Sequence, residues 1–199
     1  MKNIGVLFSG RGSNLEAIIN SVKTGRLKAD LCIAICNRPG APGIEMALDR
    51  AIPVYVIPSK GMSREDYDRE VLKHLRKWDV ELVCLAGYMR LLSPEFCRAF
   101  PMRILNIHPS LLPAFPGLDA QKQALEHGVK VSGCTVHFVN EELDDGPIVM
   151  QATVPVLDND TPESLSARIL VEEHRIYTEA LEIVLSERWH IEGRRVVAD

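Results

Sequence analysis

Apolar and amphipathic stretches alternate along the first half of the chain. Short apolar runs are typical of strands, and stretches in which apolar side chains recur every three or four residues are typical of helices. The predicted pairs, strand first and helix second, are 4–8 with 15–22, 31–36 with 44–50, 54–57 with 63–77, and 82–86 with 94–100. Strands that alternate with helices in this way predict a mostly parallel, doubly wound sheet. Because the strands are almost entirely apolar, we expect helices on both faces of that sheet.

The second half of the chain continues the pattern with longer elements. A strand begins at 104–105, and two further strands are predicted at 132–139 and 148–156. After Leu165, apolar positions at helical spacing predict one long helix that packs on the sheet. The chain contains no repeat, linker or low-complexity segment, so we expect a single domain over 1–199 with a three-layer α/β, Rossmann-like fold.

The composition is that of an ordinary globular protein. Apolar residues make up 46% and charged residues 25% of the 199 residues, and a chain of this length buries a sizeable core. The formal net charge of -4 gives no general attraction to nucleic acid or to anionic lipid. A small-molecule substrate is therefore favoured over either of these partners.

Targeting signals and cysteine spacing bear on the cellular compartment and on the chemistry of the cysteines. No apolar run approaches the roughly 18 residues of a membrane helix, and Met1-Lys2-Asn3 leads directly into the first strand rather than into a signal peptide. We therefore expect a cytoplasmic protein that does not associate with membranes. The five cysteines, at 32, 36, 84, 97 and 134, form neither a CxxC pair nor a dense framework. This spacing argues against disulfides and against a zinc site.

The run from Asn106 to Pro113 carries the strongest chemical signal. Asn106 and His108 are two residues apart at the end of a predicted strand, so their side chains point to the same face. An amide that holds an oxyanion and an imidazole that moves a proton would then emerge where open α/β sheets bind their ligands. A histidine on its own equally often satisfies a local hydrogen bond.

The acidic loop from Asn140 to Pro147 offers a partner for this imidazole. It contains Glu141, Glu142, Asp144 and Asp145 between two predicted strands. A carboxylate that lies beside a histidine stabilises the imidazolium form. The alternative interpretation of such an acidic run is a solvated turn.

The segment Ser9-Gly10-Arg11-Gly12-Ser13-Asn14 joins the first strand to the first helix. Glycines at such a turn allow close backbone approach to a ligand, and the amides of a helix start attract an anion. Leu15 stands where the third glycine of a dinucleotide fingerprint belongs, which favours a phosphate monoester over a dinucleotide. The alternative is a tight turn that Ser13 or Asn14 caps.

Three further features have two interpretations each. The segment Leu85 to Leu92 either lines a flat pocket, with backbone groups that hydrogen-bond to the edge of a heterocycle, or simply connects a strand to a helix. Arg64 either meets a carboxylate or phosphate or is solvated. His137 either faces the site or is a satisfied core histidine. His108, His137 and Asp144 lack the spacing of a metal site, so no metal is expected.

These motifs together resemble the phosphoribosylglycinamide formyltransferase family of purine synthesis. The match extends over 6–15, 85–90, 106–113 and 135–139 and covers nearly the whole chain. The Asn-x-His-Pro-Ser-Leu-Leu-Pro element is typical of the wider formyltransferase superfamily, whereas Gly12-Ser13-Asn14 and Phe115-Pro116-Gly117 point to this branch. Superfamily relatives that act on tRNA or hydrolyse formyl-folate carry an extra domain, which we do not expect in a chain of 199 residues.

The resemblance implies a role for particular residues. It implies a catalytic trio of Asn106, His108 and Asp144. It implies substrate binding by Gly12, Ser13, Asn14 and Glu173, with the phosphate at the loop and the amine near the glutamate. It implies folate binding by Arg64, Met89, Arg90, Leu91, Leu92, Asn106, Asn140, Glu141, Glu142 and Leu143. At 119, 121 and 170 the chain has Asp, Gln and Leu where some relatives differ, so these positions are left out of the predicted site.

The reaction that the resemblance implies is transfer of a formyl group from 10-formyltetrahydrofolate, as co-substrate, to the amine of 5-phosphoribosylglycinamide. We expect a monomer or homodimer that acts on small molecules. Three rival functions differ in particular features. A nicotinamide dehydrogenase requires a ribose-binding acid where this chain has Ile35-Cys36-Asn37. A metabolite sensor needs neither Asn106 nor His108, and a folate-dependent hydrolase passes the formyl group to water.

Overall fold

The computed structural model describes residues 1–198, which divide into two compact units, Met1–Asn106 and 107–198. The first unit contains five strands and four helices in strict alternation. Its elements are β1 (Lys2–Phe8), α1 (Ser13–Lys23), β2 (Ala29–Cys36), α2 (Pro42–Asp49), β3 (Val54–Val56), α3 (Arg64–Lys77), β4 (Leu82–Leu85), α4 (Pro94–Ala99) and β5 (Ile104–His108), the last of which runs on past Asn106.

The strands of the first unit are parallel and lie in the order β3-β2-β1-β4-β5. The central strand β1 is buried along Ile4 to Phe8, with Leu7 opposite Ile35 on one side and Leu85 on the other. Strands that are covered on both faces need apolar side chains at almost every position, which explains the unbroken apolar runs in the sequence. The order reverses at β1, and such a reversal opens a crevice at the carboxyl ends of the strands.

The second unit contains two helices and four strands besides the end of β5. They are α5 (Ala120–Glu126), β6 (Val131–Phe138), β7 (Ile148–Pro155), α6 (Pro162–Ser186), β8 (Trp189–Glu192) and β9 (Arg195–Ala198). Strand β7 is antiparallel to β6 and parallel to β9, and β8 and β9 form an antiparallel hairpin. Helix α6 packs on β6 and β7 through a buried stripe that includes Ile169, Ile176 and Leu181. The predicted fold class, a mostly parallel α/β sheet with helices on both faces, is confirmed.

Helix starts follow local capping rules. Ser93 accepts a hydrogen bond from the amide of Phe96, and Thr161 forms a reciprocal capping box with Ser164. Both caps are followed by a proline at the first helical position, where its missing N–H is not needed. Among residues 1–198, no helix combines the length and apolarity that crossing a membrane requires.

The sequence pattern did not predict α5, β8 or β9. Helix α5 is only seven residues long and begins after Asp119. The backbone of Asp119 has a left-handed φ of 56°, and its side chain does not cap the helix. The hairpin strands β8 and β9 have four residues each and carry mostly half-buried or exposed side chains. Such short, partly solvated elements have neither a long apolar run nor an extended periodicity.

Candidate active site

His108 lies at the carboxyl end of β5 and is almost fully buried. Its Nε2 atom is 2.9 Å from the carbonyl oxygen of Phe115, and its Nδ1 atom is 3.4 Å from Oδ2 of Asp144. Both neighbours are hydrogen-bond acceptors. The ring therefore presents one nitrogen to the Phe115 carbonyl and the other to the carboxylate of Asp144.

Asp144 is held in place from several sides. Its Oδ2 atom accepts a hydrogen bond of 2.8 Å from the amide of Gly117, and its backbone adopts a left-handed φ of 50°. Two residues later, a Cβ on Gly146 would lie 1.8 Å from the carbonyl oxygen of Phe138, so only glycine fits. The loop therefore follows one path, which carries the carboxylate of Asp144 to the imidazole of His108.

His137 is a site residue that the sequence analysis did not select. Its Nδ1 atom is 2.9 Å from the carbonyl oxygen of Phe138, and its Nε2 atom is 3.7 Å from Oδ1 of Asp144. Burial lowers the pKa of His137, although its contact with the Phe138 carbonyl and the charge of Asp144 oppose that shift. Asp144 thus has an imidazole near each of its oxygens. Alternation along β6 predicts which residues share a face of the strand with His137. It does not predict whether that face points towards the site.

Asn106 precedes His108 by two residues on β5, opposite Leu85 of β4 in the parallel register. It is half-buried, and its side chain shares a face of the strand with His108. An amide and an imidazole on one face provide two neighbouring hydrogen-bond donors. This is the arrangement that stabilises a developing negative charge on oxygen.

The acidic loop from Asn140 to Pro147 is exposed except near Asp144. Asn140 accepts a hydrogen bond of 3.0 Å from the amide of Glu142, and the side chain of Leu143 is half exposed. On the outer side of the loop, Arg194 of the C-terminal hairpin pairs with Asp145 at 2.9 Å. This hydrogen bond holds the pKa of Asp145 below its ordinary value. The interpretation of the loop as a solvated turn fits Asp145 but not Asp144.

Helix α1 begins at Ser13 with Gly12 as its N-cap. Ser13 and Asn14 are already helical, so the alternative in which one of them caps the turn is wrong. Gly12 has a left-handed φ of 77°, and a Cβ there would lie 3.0 Å from the Met46 side chain. The first amides of a helix have no partner within the helix, and they form an anion site when no side chain caps them.

The segment 87–92, called here the connecting segment, leads from β4 towards α4. Its residues alternate in exposure: the side chains of Met89 and Leu91 are 55% exposed, whereas Tyr88 and Leu92 are buried. The guanidinium of Arg90 lies 4.5 Å from the centre of the Tyr67 ring. The segment therefore presents apolar side chains on its outer face.

Two further residues of the predicted site, Arg64 and Glu173, lie on α3 and α6. Arg64 is the first residue of α3, is about half exposed and pairs with Glu65 at 3.2 Å. Glu173 lies in the buried stripe of α6 and is 8% exposed. Burial, followed by the nearby charge of Glu173, raises the pKa of the Cys134 thiol to about 12.

Comparison with known proteins shows the family of this chain. The formyl transferase family matches residues 2–181. Phosphoribosylglycinamide formyltransferase of Escherichia coli (strain K12) is 45% identical over 193 residues, which cover 96% of this chain and 88% of that protein. The crystal structure of glycinamide ribonucleotide transformylase 1 from Symbiobacterium toebii superposes with a TM-score of 0.96 at 53% identity, covering 100% of this chain and 94% of that one.

Longer proteins contain a similar region. The trifunctional purine biosynthetic protein adenosine-3 of Drosophila melanogaster is 47% identical over 188 residues. That match covers 93% of this chain but only 14% of the Drosophila protein.

Proposed function

Because the chain belongs to the formyl transferase family, we propose that it transfers a formyl group from 10-formyltetrahydrofolate to the amine of 5-phosphoribosylglycinamide. The products are formyl-phosphoribosylglycinamide and tetrahydrofolate, a step of purine biosynthesis. The single observation that carries the proposal is the pairing of His108 with Asp144 beside Asn106, in a chain that matches the E. coli phosphoribosylglycinamide formyltransferase over most of both lengths.

The proposed reaction is a direct transfer that needs no covalent enzyme intermediate. The neutral amine of the substrate attacks the formyl carbon and forms a tetrahedral intermediate with a negative oxygen. The Asn106 amide and the protonated His108 donate hydrogen bonds to that oxygen, and one such donor contributes about 3 kcal/mol. The C–N bond to the folate then breaks, and a proton that the attacking amine releases reaches the departing nitrogen through His108 or a water.

The contacts of His108 support this assignment. With Nδ1 towards Asp144, the other ring nitrogen, Nε2, is the one that faces away from the carboxylate. In the structure Nε2 faces the Phe115 carbonyl. We propose that the oxygen of the reacting formyl group takes the place of that carbonyl, so that the proton donor exchanges one acceptor for another.

The remaining residues divide between the two substrates in this proposal. Gly12, Ser13 and Asn14 bind the phosphate, because the start of α1 favours an anion, and Glu173 lies near the amine. Met89 to Leu92 bind the folate together with Arg64, and the loop from Asn140 to Leu143 closes over the pterin. Binding of the distant phosphate holds the amine in place for attack, which lowers the entropic part of the barrier.

Other expectations remain part of the proposal. We propose that the described units act as one formyltransferase domain, as a monomer or homodimer, in the cytoplasm. The co-substrate supplies the one-carbon unit, and the roles assigned above leave no step for a metal. The buried free cysteines fit a reducing compartment.

Incubation of the purified protein with 10-formyltetrahydrofolate tests the function directly. Tetrahydrofolate should form only when 5-phosphoribosylglycinamide is also present, with one formylated amine for each folate released. Folate release without the amine would instead identify a hydrolase. No release under either condition would contradict both.

A further inference from the structure

The connecting segment, 87–92, is fixed at its start by a buried serine. Ser9, at the end of β1, is 2% exposed. Its amide donates a hydrogen bond of 3.2 Å to the carbonyl of Gly87, and its hydroxyl accepts one of 2.8 Å from the amide of Met89. A single side chain and its own backbone thus hold two points of the segment, in the turn where Gly87 has a left-handed φ of 67°.

The far end of the segment is fixed by a buried carboxylate. Asp68 of α3 is 1% exposed, and its Oδ2 atom accepts a hydrogen bond of 2.5 Å from the amide of Ser93. The hydroxyl of Ser93 already caps α4 by accepting from Phe96. The Ser93 hydroxyl also hydrogen-bonds to the carboxylate of Asp68, so Asp68 fixes the residue at which the segment ends through both its amide and its side chain.

The middle of the segment rests on the neighbour of Asp68. The ring of Tyr67 is fully buried, and the guanidinium of Arg90 lies over it. Tyr67 and Asp68 are consecutive residues of α3, so this one helix supports the segment at two points. The backbone is held on its inner side while Met89 and Leu91 remain exposed on the other.

We propose that Ser9 and Asp68 are positioning residues for the folate co-substrate. This inference rests on the proposed function, in which the connecting segment binds folate. Neither residue contacts the reacting atoms in the proposed site. Both fix the segment before the ligand arrives, so that binding does not have to order a mobile loop. Loss of either anchor should weaken folate binding and leave the chemical step intact.

Variants at Asp68 provide the first test. Asp68→Ala removes the acceptor of the Ser93 amide, and we expect the KM for 10-formyltetrahydrofolate to rise about tenfold. The kcat and the KM for 5-phosphoribosylglycinamide should change by less than about twofold, because Asp68 acts neither on the chemical step nor on the binding of that substrate. Asp68→Asn keeps an oxygen that accepts a hydrogen bond from the Ser93 amide, so its KM for 10-formyltetrahydrofolate should lie close to that of the wild type.

Thr161→Ala is the control for stability. Thr161 caps α6 by accepting a hydrogen bond from the Ser164 amide, and none of the residues assigned to folate lies on that helix. Its loss should lower the melting temperature without raising the folate KM. A purely structural role for Asp68 would make Asp68→Ala behave like this control.

Ser9→Ala and hydrogen exchange complete the test. Amide exchange of residues 87–93 should accelerate in both Ser9→Ala and Asp68→Ala but not in Thr161→Ala. Accelerated exchange together with a raised folate KM supports the inference. An unchanged folate KM in active Asp68→Ala overturns the inference alone, whereas a wild-type protein that transfers no formyl group overturns the proposed function and the inference with it.

Discussion

Asp144 Oδ2 lies 3.4 Å from Nδ1 of His108, and both side chains are at least nine-tenths buried. A buried pair of this kind is screened far less by water and salt than a pair on the surface. The carboxylate is itself fixed by the Gly117 amide, so the imidazole meets a charge whose position is already set. In the proposed reaction, His108 donates to the developing oxyanion while this carboxylate stabilises its positive charge.

Asp144→Asn should reduce kcat about 100-fold, because the amide cannot stabilise a positive imidazole as a carboxylate does. Steady-state assays at saturating levels of both substrates measure this effect. The KM values should change much less than kcat, since the proposed role concerns the transition state.

Asp145→Asn is the matched control for that variant. The two residues are adjacent, but the side chain of Asp145 is 39% exposed and pairs with that of Arg194 instead. An exposed ion pair contributes at most about 1 kcal/mol, so activity should fall no more than about fivefold. Equal losses in the two variants would show that the loop, rather than the carboxylate at 144, is what matters.

Gly12→Ala should raise the KM for 5-phosphoribosylglycinamide at least about tenfold, because the left-handed backbone and the contact with Met46 force the loop to move. The folate KM should stay close to that of the wild type. Gly25→Ala is the control: Gly25 has a similar φ of 73°, and a Cβ there meets open space. Gly25→Ala should lower stability without changing the KM for either substrate. If it also raised the KM for 5-phosphoribosylglycinamide, the rise in Gly12→Ala would have to be assigned to backbone strain in general.

His137 should make the protein less stable in mild acid. Burial lowers its pKa in the folded state, so the unfolded chain binds a proton that the folded protein resists. The free energy of unfolding should fall as pH drops below about 6.5, with a slope of up to about 1.4 kcal/mol per pH unit. Denaturant unfolding at a series of pH values from neutral into mild acid measures this slope.

His137→Gln removes the titrating ring and retains an amide donor for the Phe138 carbonyl. Its free energy of unfolding should show a shallower slope over the same interval. Identical slopes in the two proteins would assign the acid sensitivity to other groups.

Much of the fold followed from hydrophobic patterning alone. The alternating elements of the first unit were predicted to within a few residues, because each strand is a short buried run next to a periodic helix. The C-terminal hairpin was not predicted, since its strands are short and largely solvated. Arg194, which reaches Asp145 from that hairpin, could therefore not be connected to the loop in advance.

The site was only partly predictable from sequence, for a different reason. Spacing along one strand places Asn106 beside His108, and this local rule needs no tertiary information. The contact of His108 with Asp144 depends on the path of a loop that Gly146 permits, and His137 enters the same cluster from the neighbouring strand β6. Asp68 lies in no motif, and Ser9 lies in the first loop without a role assigned to it there, so only their contacts reveal both as anchors.

In the proposed reaction Asp144 acts through the imidazole of His108, and a double-mutant cycle on these two residues measures that dependence. The kcat of His108→Asn, Asp144→Asn and the double variant is compared with that of the wild type. Asp144→Asn should lower kcat about 100-fold in the wild-type background but less than about threefold once His108 is replaced. An equal loss in both backgrounds, with the two effects simply multiplying, would contradict that dependence.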